Sequence, residues 1–247
     1  MSLIGTIVNA AAILAGGGIG LIIKKGLNEK LEHAITQMLG LTTIVIAGGG
    51  LITRMITVDP ATGRLSSGGE LLLLVSLVLG ALAGTLLDID GALEHWGARL
   101  EKRFGGSGGF APGLISATLL FCVGAMAIMG SFNDGLSGDH TVLFVKSALD
   151  FIASIVLGAT LGVGVLGAAV TTFVYQGALT LCAGALSGVL AGALLDRICI
   201  VGYAIVACIG INFFGAVKIK TANLLPALLV PLLYQLLQYL LQVCNLL

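Results

Sequence analysis

The sequence predicts an all-α fold: a polytopic transmembrane helical bundle of about eight spans, with Gly-broken helices and two amphipathic interfacial helices. Of its 247 residues, 57% are hydrophobic and only 10% are charged. Soluble domains carry about 25% charged residues. The mean hydropathy is +1.10, and the apolar residues form runs long enough to cross a bilayer. We therefore expect residues 1–247 to form a single integral membrane domain embedded in the lipid bilayer.

Eight apolar runs approach the roughly 20 residues that a membrane-spanning helix needs. The third and fourth are short, and a re-entrant sixth run would reduce the count to six or seven. Because the lysines follow the first run rather than precede it, we expect a retained span and not a cleaved signal. The runs are Leu3–Ile23, Ile35–Met55, Leu71–Leu87, Gly113–Met129, Val142–Val163, Ala168–Leu195, Ile198–Val217 and Leu224–Val243.

The basic residues divide unequally between the two sides of this eight-span arrangement. With both termini outside, the outer side receives Arg54, Arg64, Lys146 and Arg197. The other side receives a larger set of eight Lys and Arg residues. Short inner loops of membrane proteins are enriched in Lys and Arg, so this set predicts the inner side. We therefore expect both ends of the chain outside. The larger set is Lys24, Lys25, Lys30, Arg99, Lys102, Arg103, Lys218 and Lys220.

Two of the inner segments show apolar residues at helical spacing. They are Gly26–Leu39 and Asp88–Phe104, and the second holds Trp96, the single tryptophan of the chain. A helix with one apolar face and one charged face lies in the interface plane of a membrane. We predict an interfacial helix in each segment. The alternative is an ordinary surface helix packed on the bundle.

The 37 glycines lie mostly inside the apolar runs. Pairs spaced as GxxxG let two membrane helices approach closely, within one subunit or across the face of a homo-oligomer. The runs Gly16-Gly17-Gly18 and Gly48-Gly49-Gly50 either serve such packing or open the helix. The segment Gly162–Gly167 matches GxGxxG but lacks the βαβ context of a dinucleotide site, so an unwound corner is expected. The GxxxG pairs are Gly16–Gly20, Gly80–Gly84, Gly158–Gly162, Gly184–Gly188 and Gly188–Gly192.

Short echoes hint at internal repetition. Leu31-Glu32-His33 recurs as Leu93-Glu94-His95, each after a Gly-rich span. Units of two spans keep the same orientation, so such repeats would be parallel. Two-span repeats would lie near residues 1–56, 70–130, 141–195 and 198–245. Chance matches in biased sequence are the alternative.

The most informative stretch, Phe121–Gly167, carries polar residues within apolar sequence. Lys146 and Asp150 are four residues apart, so they share one helix face and can pair. A charge at hydrocarbon depth costs about 2.5–3.5 kcal/mol on insertion scales. We also expect helix breaks at Gly130-Ser131 and at Gly135 to Gly138. Broken helices beside membrane-embedded charges are typical of transport or ion-binding sites.

The candidate site extends to polar residues of other runs. Either these groups converge on one hydrated cavity, or they fasten helices together by hydrogen bonds. Asp134 and Asp139-His140 are also compatible with a plain outer loop. The candidate substrate- or ion-binding residues are Asn9, Asn133, Asp134, Lys146, Asp150, Gln176 and Asn212.

The sequence favours no catalytic chemistry. It contains no HExxH motif, nucleophile elbow or Walker loop. We expect no cofactor and no metal, and the zero net charge gives no reason to expect a nucleic-acid partner. The cysteines occur in apolar segments without a CxxC motif and are expected to be free thiols. They are Cys122, Cys182, Cys199, Cys208 and Cys244.

Four segments carry a resemblance to a known family: GTIVNAAAILAGGGIGL, VGAMAIMGSFNDGLSGDHTVLFVKSALD, GVGVLGAAV and YQGALTL. The chain resembles the uncharacterised bacterial inner-membrane proteins of the YdfK/YqgA type, the domain-of-unknown-function 554 family. The resemblance covers essentially the whole chain and is most specific in the central stretch. It implies a multi-pass protein of the bacterial cytoplasmic membrane. It brings no substrate or catalytic residue.

Three functions fit these observations. The first is a secondary transporter of a small solute or ion, with Lys146 neutralising Asp150 when the site is empty. The second is an oligomeric channel or pore. The third is a structural or regulatory membrane protein whose polar residues only fasten helices. The first two require a water-accessible path to Lys146 and Asp150, whereas the third does not.

Overall fold

The computed structural model describes residues 3–24, 29–59, 62–92, 95, 99, 110–122, 125–186 and 192–243. Helices dominate this part of the chain, and a 3-10 helix at Thr221–Leu229 precedes the last one. An antiparallel hairpin of two three-residue strands, β1 (Ile56–Val58) and β2 (Leu65–Ser67), was not predicted. The helices are α1 (Ile4–Lys24), α2 (Glu29–Met55), α3 (Glu70–Leu86), α4 (Phe110–Cys122), α5 (Ala125–Ser137), α6 (Thr141–Leu161), α7 (Gly164–Leu181), α8 (Ala183–Leu186), α9 (Ala193–Asn212) and α10 (Val230–Val243).

The predicted all-α transmembrane bundle is confirmed. Within the described residues, six helical stretches are long and apolar enough to cross a membrane: α1, α2, α6, α7, α9 and Thr221–Leu241. Helices α4 and α5 form a bent pair that adds a seventh span if the two are one broken crossing. Helix α3 is apolar but shorter, at 17 residues. Each of the eight predicted runs therefore has a helical counterpart.

Close contacts fix the relative directions of the helices. Helix α1 runs parallel to α6, since Gly5 lies at Leu143 and Gly20 lies at Ile155. Helix α2 runs antiparallel to α9, since Gly40 lies at Gly210 and Arg54 pairs with Asp196. Helix α3 runs antiparallel to the 3-10 helix, since Gly80 lies at Ala227 and Gly84 lies at Asn223. We call the face at which α1 begins the terminal face, because α10 also ends there, and the other the opposite face.

The helices form two groups. One contains α1, α4, α5, α6 and α7; the other contains α2, α3, α9, the 3-10 helix and α10. A hydrophobic core joins them and includes Ile13, Phe121, Leu157, Val165 and Ile205, each buried completely. The two groups therefore share an apolar core while each keeps its own close helix pairs.

The glycine run of α1 does not open the helix, which is continuous from Ile4 to Lys24. Two of its glycines instead receive the backbone of α6. A Cβ at Gly16 would lie 2.3 Å from the carbonyl oxygen of Phe151, and a Cβ at Gly20 would lie 2.3 Å from that of Ile155. In the same run, a Cβ at Gly18 would meet no described atom within 4 Å. Close helix approach therefore accounts for Gly16 and for Gly20, which lies just after the run.

The predicted helix break at Gly130-Ser131 is wrong. Helix α5 runs without interruption through both residues, because Gly130 provides room for Leu143 and Val142. The helix ends where predicted, before Gly138, whose φ of +68° suits glycine. The large bend, 61°, lies instead between α4 and α5.

The boundaries of the sixth predicted span, Ala168–Leu195, are also wrong. Helix α7 begins at Gly164, directly after a turn at Gly162 with a φ of +80°. It ends at Leu181, and α9 begins at Ala193. The apolar run continues through the connection, so hydropathy alone did not show where the helix stops.

The two predicted interfacial helices have different outcomes. Most of Gly26–Leu39 belongs to α2, which continues from Glu29 into the membrane-spanning part without a separate helix. Of Asp88–Phe104, residues 89–92, His95 and Arg99 are helical. The remainder of that segment beyond residue 92, including Trp96, lies outside the described residues, so the interfacial placement stays a prediction.

Candidate functional site

A buried ion pair lies at the centre of the molecule. Lys146 and Asp150 are each only 6% exposed, and the Lys146 ammonium donates directly to Oδ2 of Asp150. Both residues lie on α6, whose i, i+4 spacing places their side chains together. The ammonium also lies 5.9 Å from the ring centroid of Phe121 on α4, within cation–π range. The positive charge is thus held between a carboxylate and an aromatic ring.

Two amides connect this ion pair to neighbouring helices. Nδ2 of Asn9 on α1 donates to Oδ2 of Asp150 at 3.0 Å and to Oε1 of Gln176 on α7 at 3.1 Å. Asn9 and Gln176 are fully buried. We call Asn9, Lys146, Asp150 and Gln176 the central polar cluster. It joins three helices, and Asp150 receives hydrogen bonds from both Lys146 and Asn9.

The cluster leaves polar atoms unsatisfied. Among the described residues, Oδ1 of Asn9 and Nε2 of Gln176 have no hydrogen-bond partner, and neither does Oγ of Ser154 on the same helix as the ion pair. A buried unsatisfied polar atom costs about 1–3 kcal/mol. The free atoms of Asn9 and Gln176 are one acceptor and one donor, which a bound polar solute can engage.

A second polar pair lies nearer the terminal face. Asp134 on α5 is fully buried, and its Oδ1 lies 2.5 Å from Nδ1 of His140. The other carboxylate oxygen, Oδ2, has no hydrogen-bond partner in the described part of the chain. His140 is 23% exposed and thus reaches the surface. Asp134 is therefore an embedded group and not a plain loop residue.

The remaining predicted site residues lie apart from the cluster. Asn133 is half-buried, and its backbone carbonyl accepts hydrogen bonds from Ser137 Oγ and the Asp139 amide. Asn212 donates to the carbonyl of Ile219 at 2.8 Å and accepts from its amide at 2.7 Å. Asn212 thus fastens the turn after α9, so its inclusion in the candidate site is not supported by this geometry.

The ion pair lines a cavity of about 660 Å³ between the two helix groups. Its walls come from α2, α4, α5, α6 and α9 and are mainly apolar, with Thr42 and Thr43 as further polar members. The cavity opens sideways, since its lining residues Ile46 and Ile152 are more than half exposed on the outer surface of the bundle. A buried charge pair thus borders space large enough for a small solute.

Buried polar groups lie on both sides of the central polar cluster along the bundle. Between the central cluster and the terminal face lie Asp134, His140 and the hydroxyls of Thr6 and Thr180, which are 3.5 Å apart. Toward the opposite face, fully buried Ser154 and Thr172 lie among apolar core residues such as Ile13 and Leu157. Thr6 and Thr180 were not among the residues predicted from the sequence. Their spacing from Asn9 and Gln176, three and four residues along the helices, was the available signal.

The cysteines agree with the expectation of free thiols. Cys122, Cys182, Cys199 and Cys208 are free, and Cys244 lies outside the described residues. The described residues contain no group of three or more His, Cys, Asp or Glu side chains that could hold a metal ion.

Comparison with known proteins places the chain in a family. The profile described as "Protein of unknown function (DUF554)" matches residues 4–236. The chain belongs to this family. It is similar to the "Uncharacterized membrane protein YdfK" of Bacillus subtilis (strain 168), with 35% identity over 92% of this chain and 93% of the relative. It is also similar to the "Uncharacterized protein YqgA" of Escherichia coli (strain K12), with 25% identity over the same shares.

No solved structure matches the chain. Membership of the DUF554 family agrees with the resemblance noted in the sequence, and the name of the B. subtilis relative agrees with a membrane protein. The names of these two relatives assign no activity to them. Any function for this chain therefore has to be argued from its site.

Proposed function

We propose that this DUF554 protein is a secondary transporter of a small solute or ion, with the central polar cluster as its site. The observation that carries the proposal is the Lys146–Asp150 ion pair, buried at the wall of the cavity between the two helix groups. The cavity gives a solute a place to bind, and the ion pair gives it charges to interact with.

Fold stability alone gives little reason to keep such a pair. Taking two charges out of water costs several kcal/mol per ion, and well-packed apolar residues of similar volume are often equally or more stabilising. Ionisable residues inside membranes commonly mark substrate or ion pathways. The unsatisfied atoms of Asn9 and Gln176 beside the pair favour the same interpretation.

The transport cycle would exchange the partners of Asp150. In the empty site, Lys146 and Asn9 satisfy the carboxylate. A proton or cation arriving at Asp150 replaces the ammonium, and Lys146 then becomes free to bind an anionic or polar group of the solute. The bend between α4 and α5, next to Phe121, and the cavity between the helix groups are the places where the two groups can move.

The orientation we propose places both chain ends outside the bacterial cytoplasmic membrane. The connections at the opposite face hold most of the Lys and Arg residues, including Lys24 and Lys218, which supports an inward placement of that face. The terminal face, with Asp134 and His140, would then be the outer entrance.

The test is current measurement on a solid-supported membrane with reconstituted protein. The panel of solutes consists of sodium, potassium, small monocarboxylates and amino acids. We expect at least one solute to give a current in the wild type that is lost in the double variant Lys146→Met/Asp150→Leu. The control, Arg54→Gln/Asp196→Asn, removes a partly exposed ion pair and should keep the current. Absence of any solute-dependent current in the wild type, or equal currents in the double variant, would contradict transport through this site.

A further inference from the structure

We propose that a sodium ion binds between α1, α5 and α7, with the Asp134 carboxylate as its charged ligand and oxygens of Thr6, Asn9 and Thr180 as neutral ligands. Sodium at Asp134 would be a coupling ion of the proposed transporter, separate from the proton or cation that reaches Asp150, and the proposal rests on that function for the coupling alone. Binding of the ion is a separate property that can be measured without transport.

The charged ligand is Asp134. Its side chain is fully buried, and one carboxylate oxygen pairs with His140. The second oxygen, Oδ2, has no partner among the described residues although it is shielded from solvent. A buried carboxylate oxygen of this kind needs a proton, a donor or a cation. The oxygen lies beside Gly5, where a Cβ would lie 3.0 Å from it and 2.6 Å from the Leu143 side chain, so glycine allows α1 to approach Asp134 closely.

The neutral oxygens come from the two helices that flank this position. Thr6 follows Gly5 on α1, and its hydroxyl lies 3.5 Å from that of Thr180 on α7. Gly135, next to Asp134, lies against the backbone carbonyl of Thr180. Asn9 is one turn further along α1, on the same helix face as Gly5, and its Oδ1 is unsatisfied. Helices α1 and α7, which contact Asp134 and Gly135 through Gly5 and Thr180, thus carry the neutral oxygens of the proposed site.

The charge of the site suits a monovalent cation. Lys146 and Asp150, which lie farther from the terminal face, neutralise each other. The described parts of α1 and α7 near Thr6 and Thr180 carry no charged residue. Asp134 therefore contributes one negative charge, and His140 is the other titratable group beside it. Hard cations take oxygen ligands. A proton on His140 or Asp134 would compete with sodium.

The experiment measures binding of radiolabelled sodium to the full-length protein in detergent, together with its thermal stability in NaCl and in choline chloride. We expect sodium to bind the wild type and to raise its melting temperature. The variant Asp134→Asn removes the charged ligand. Loss of even an outer partner of a metal site typically lowers affinity by about 10- to 100-fold, so we expect at least that loss here. The control Asp139→Asn removes an exposed carboxylate five residues away and should bind like the wild type.

Two further variants keep the test decisive if Asp134→Asn fails to fold. Thr6→Val and Thr180→Val each remove one hydroxyl oxygen and leave the other hydroxyl without its partner, so stability in choline chloride should fall while the protein stays folded and sodium binding weakens. Wild-type protein that binds no sodium, or Thr variants that all bind like the wild type, would overturn the proposal. A stability that responds to pH through Asp134 but not to sodium would assign a proton to this site instead. Sodium binding without solute currents would contradict the transporter function and leave the sodium site standing.

Discussion

Lys146 and Asp150 satisfy each other in an environment where neither charge would persist alone. The carboxylate also accepts from Asn9, so three donors and acceptors from two helices share one buried position. Removing one charge leaves the other without compensation, whereas removing both leaves an apolar position that neighbouring side chains can fill. The pair should therefore respond very differently to single and double substitution.

We predict that Lys146→Met and Asp150→Leu each lower the free energy of unfolding by about 3–5 kcal/mol, because one buried charge remains unpaired. The double variant should regain most of that stability. Denaturation in detergent measures both. The surface pair Arg54–Asp196, whose side chains are 33% and 40% exposed, is the matched control. Its single substitutions should cost no more than about 1 kcal/mol, and equal costs at the two pairs would contradict the buried assignment.

The candidate site was predictable from sequence only where its geometry is local. The i, i+4 spacing within one helix is enough to bring Lys146 to Asp150. Asn9 is separated in sequence from Asp150 by 141 residues and from Gln176 by 167 residues. Their hydrogen bonds therefore depend on which helices pack together. Asn212 looked equivalent to Asn9 as an amide in an apolar run. Its partner, Ile219, lies seven residues away and gives it a local role.

Within a single helix, some glycines allow a neighbouring helix to pack closely, whereas others contact no neighbour. In α1, Gly16 and Gly20 receive carbonyl groups of α6, while Gly18 faces away from them. Sequence cannot distinguish a glycine that opens a helix from one that admits a neighbour, because both appear as Gly in an apolar run. For that reason the break was predicted at Gly130-Ser131, although α5 is continuous there.

We predict opposite effects of two alanine substitutions in α1. Gly16→Ala places a Cβ against the Phe151 carbonyl, so α6 must move away, at a typical overpacking cost of about 1–3 kcal/mol. Gly18→Ala adds a Cβ in open space and gains up to about 1 kcal/mol of helix propensity. Thermal unfolding in detergent compares them. A destabilising Gly18→Ala, or a neutral Gly16→Ala, would show that the packing of α1 on α6 differs from this arrangement.

At the scale of the whole molecule, six helical stretches of the described residues, or seven with the bent α4–α5 pair, are long and apolar enough to cross a membrane. Hydropathy predicted the runs well because a membrane-spanning helix needs about 20 predominantly apolar residues to face lipid. It did not predict how the helices pair, since α1 with α6 and α2 with α9 join distant parts of the chain. Nor did it predict the cavity between the two groups, which depends on that pairing.

We predict that reporters fused after Leu247 and inserted at Lys218 lie on different sides of the membrane. The Lys and Arg residues at the opposite face favour its placement on the cytoplasmic side. A phosphatase should therefore be active only after Leu247, and a fluorescent protein should mature only at Lys218. The same reporter active at both positions would contradict the eight crossings. Exchange of the two results would keep the crossings and reverse the orientation.

Transport through the proposed site requires that water and solute reach the Lys146–Asp150 pair from each membrane face in turn. Ser147 lies next to Lys146 and is 4% exposed, so Ser147→Cys in a background without native cysteines reports on that position. Val145→Cys, on the exposed lipid-facing side of the same helix, is the control and should resist a charged reagent.

The measurement is labelling of sealed vesicles of both orientations by a membrane-impermeant, permanently cationic methanethiosulfonate. We predict that Ser147→Cys is labelled from either face, while Val145→Cys is labelled from neither. Protection of Ser147→Cys from both faces would contradict it and leave the ion pair a structural fastening between helices.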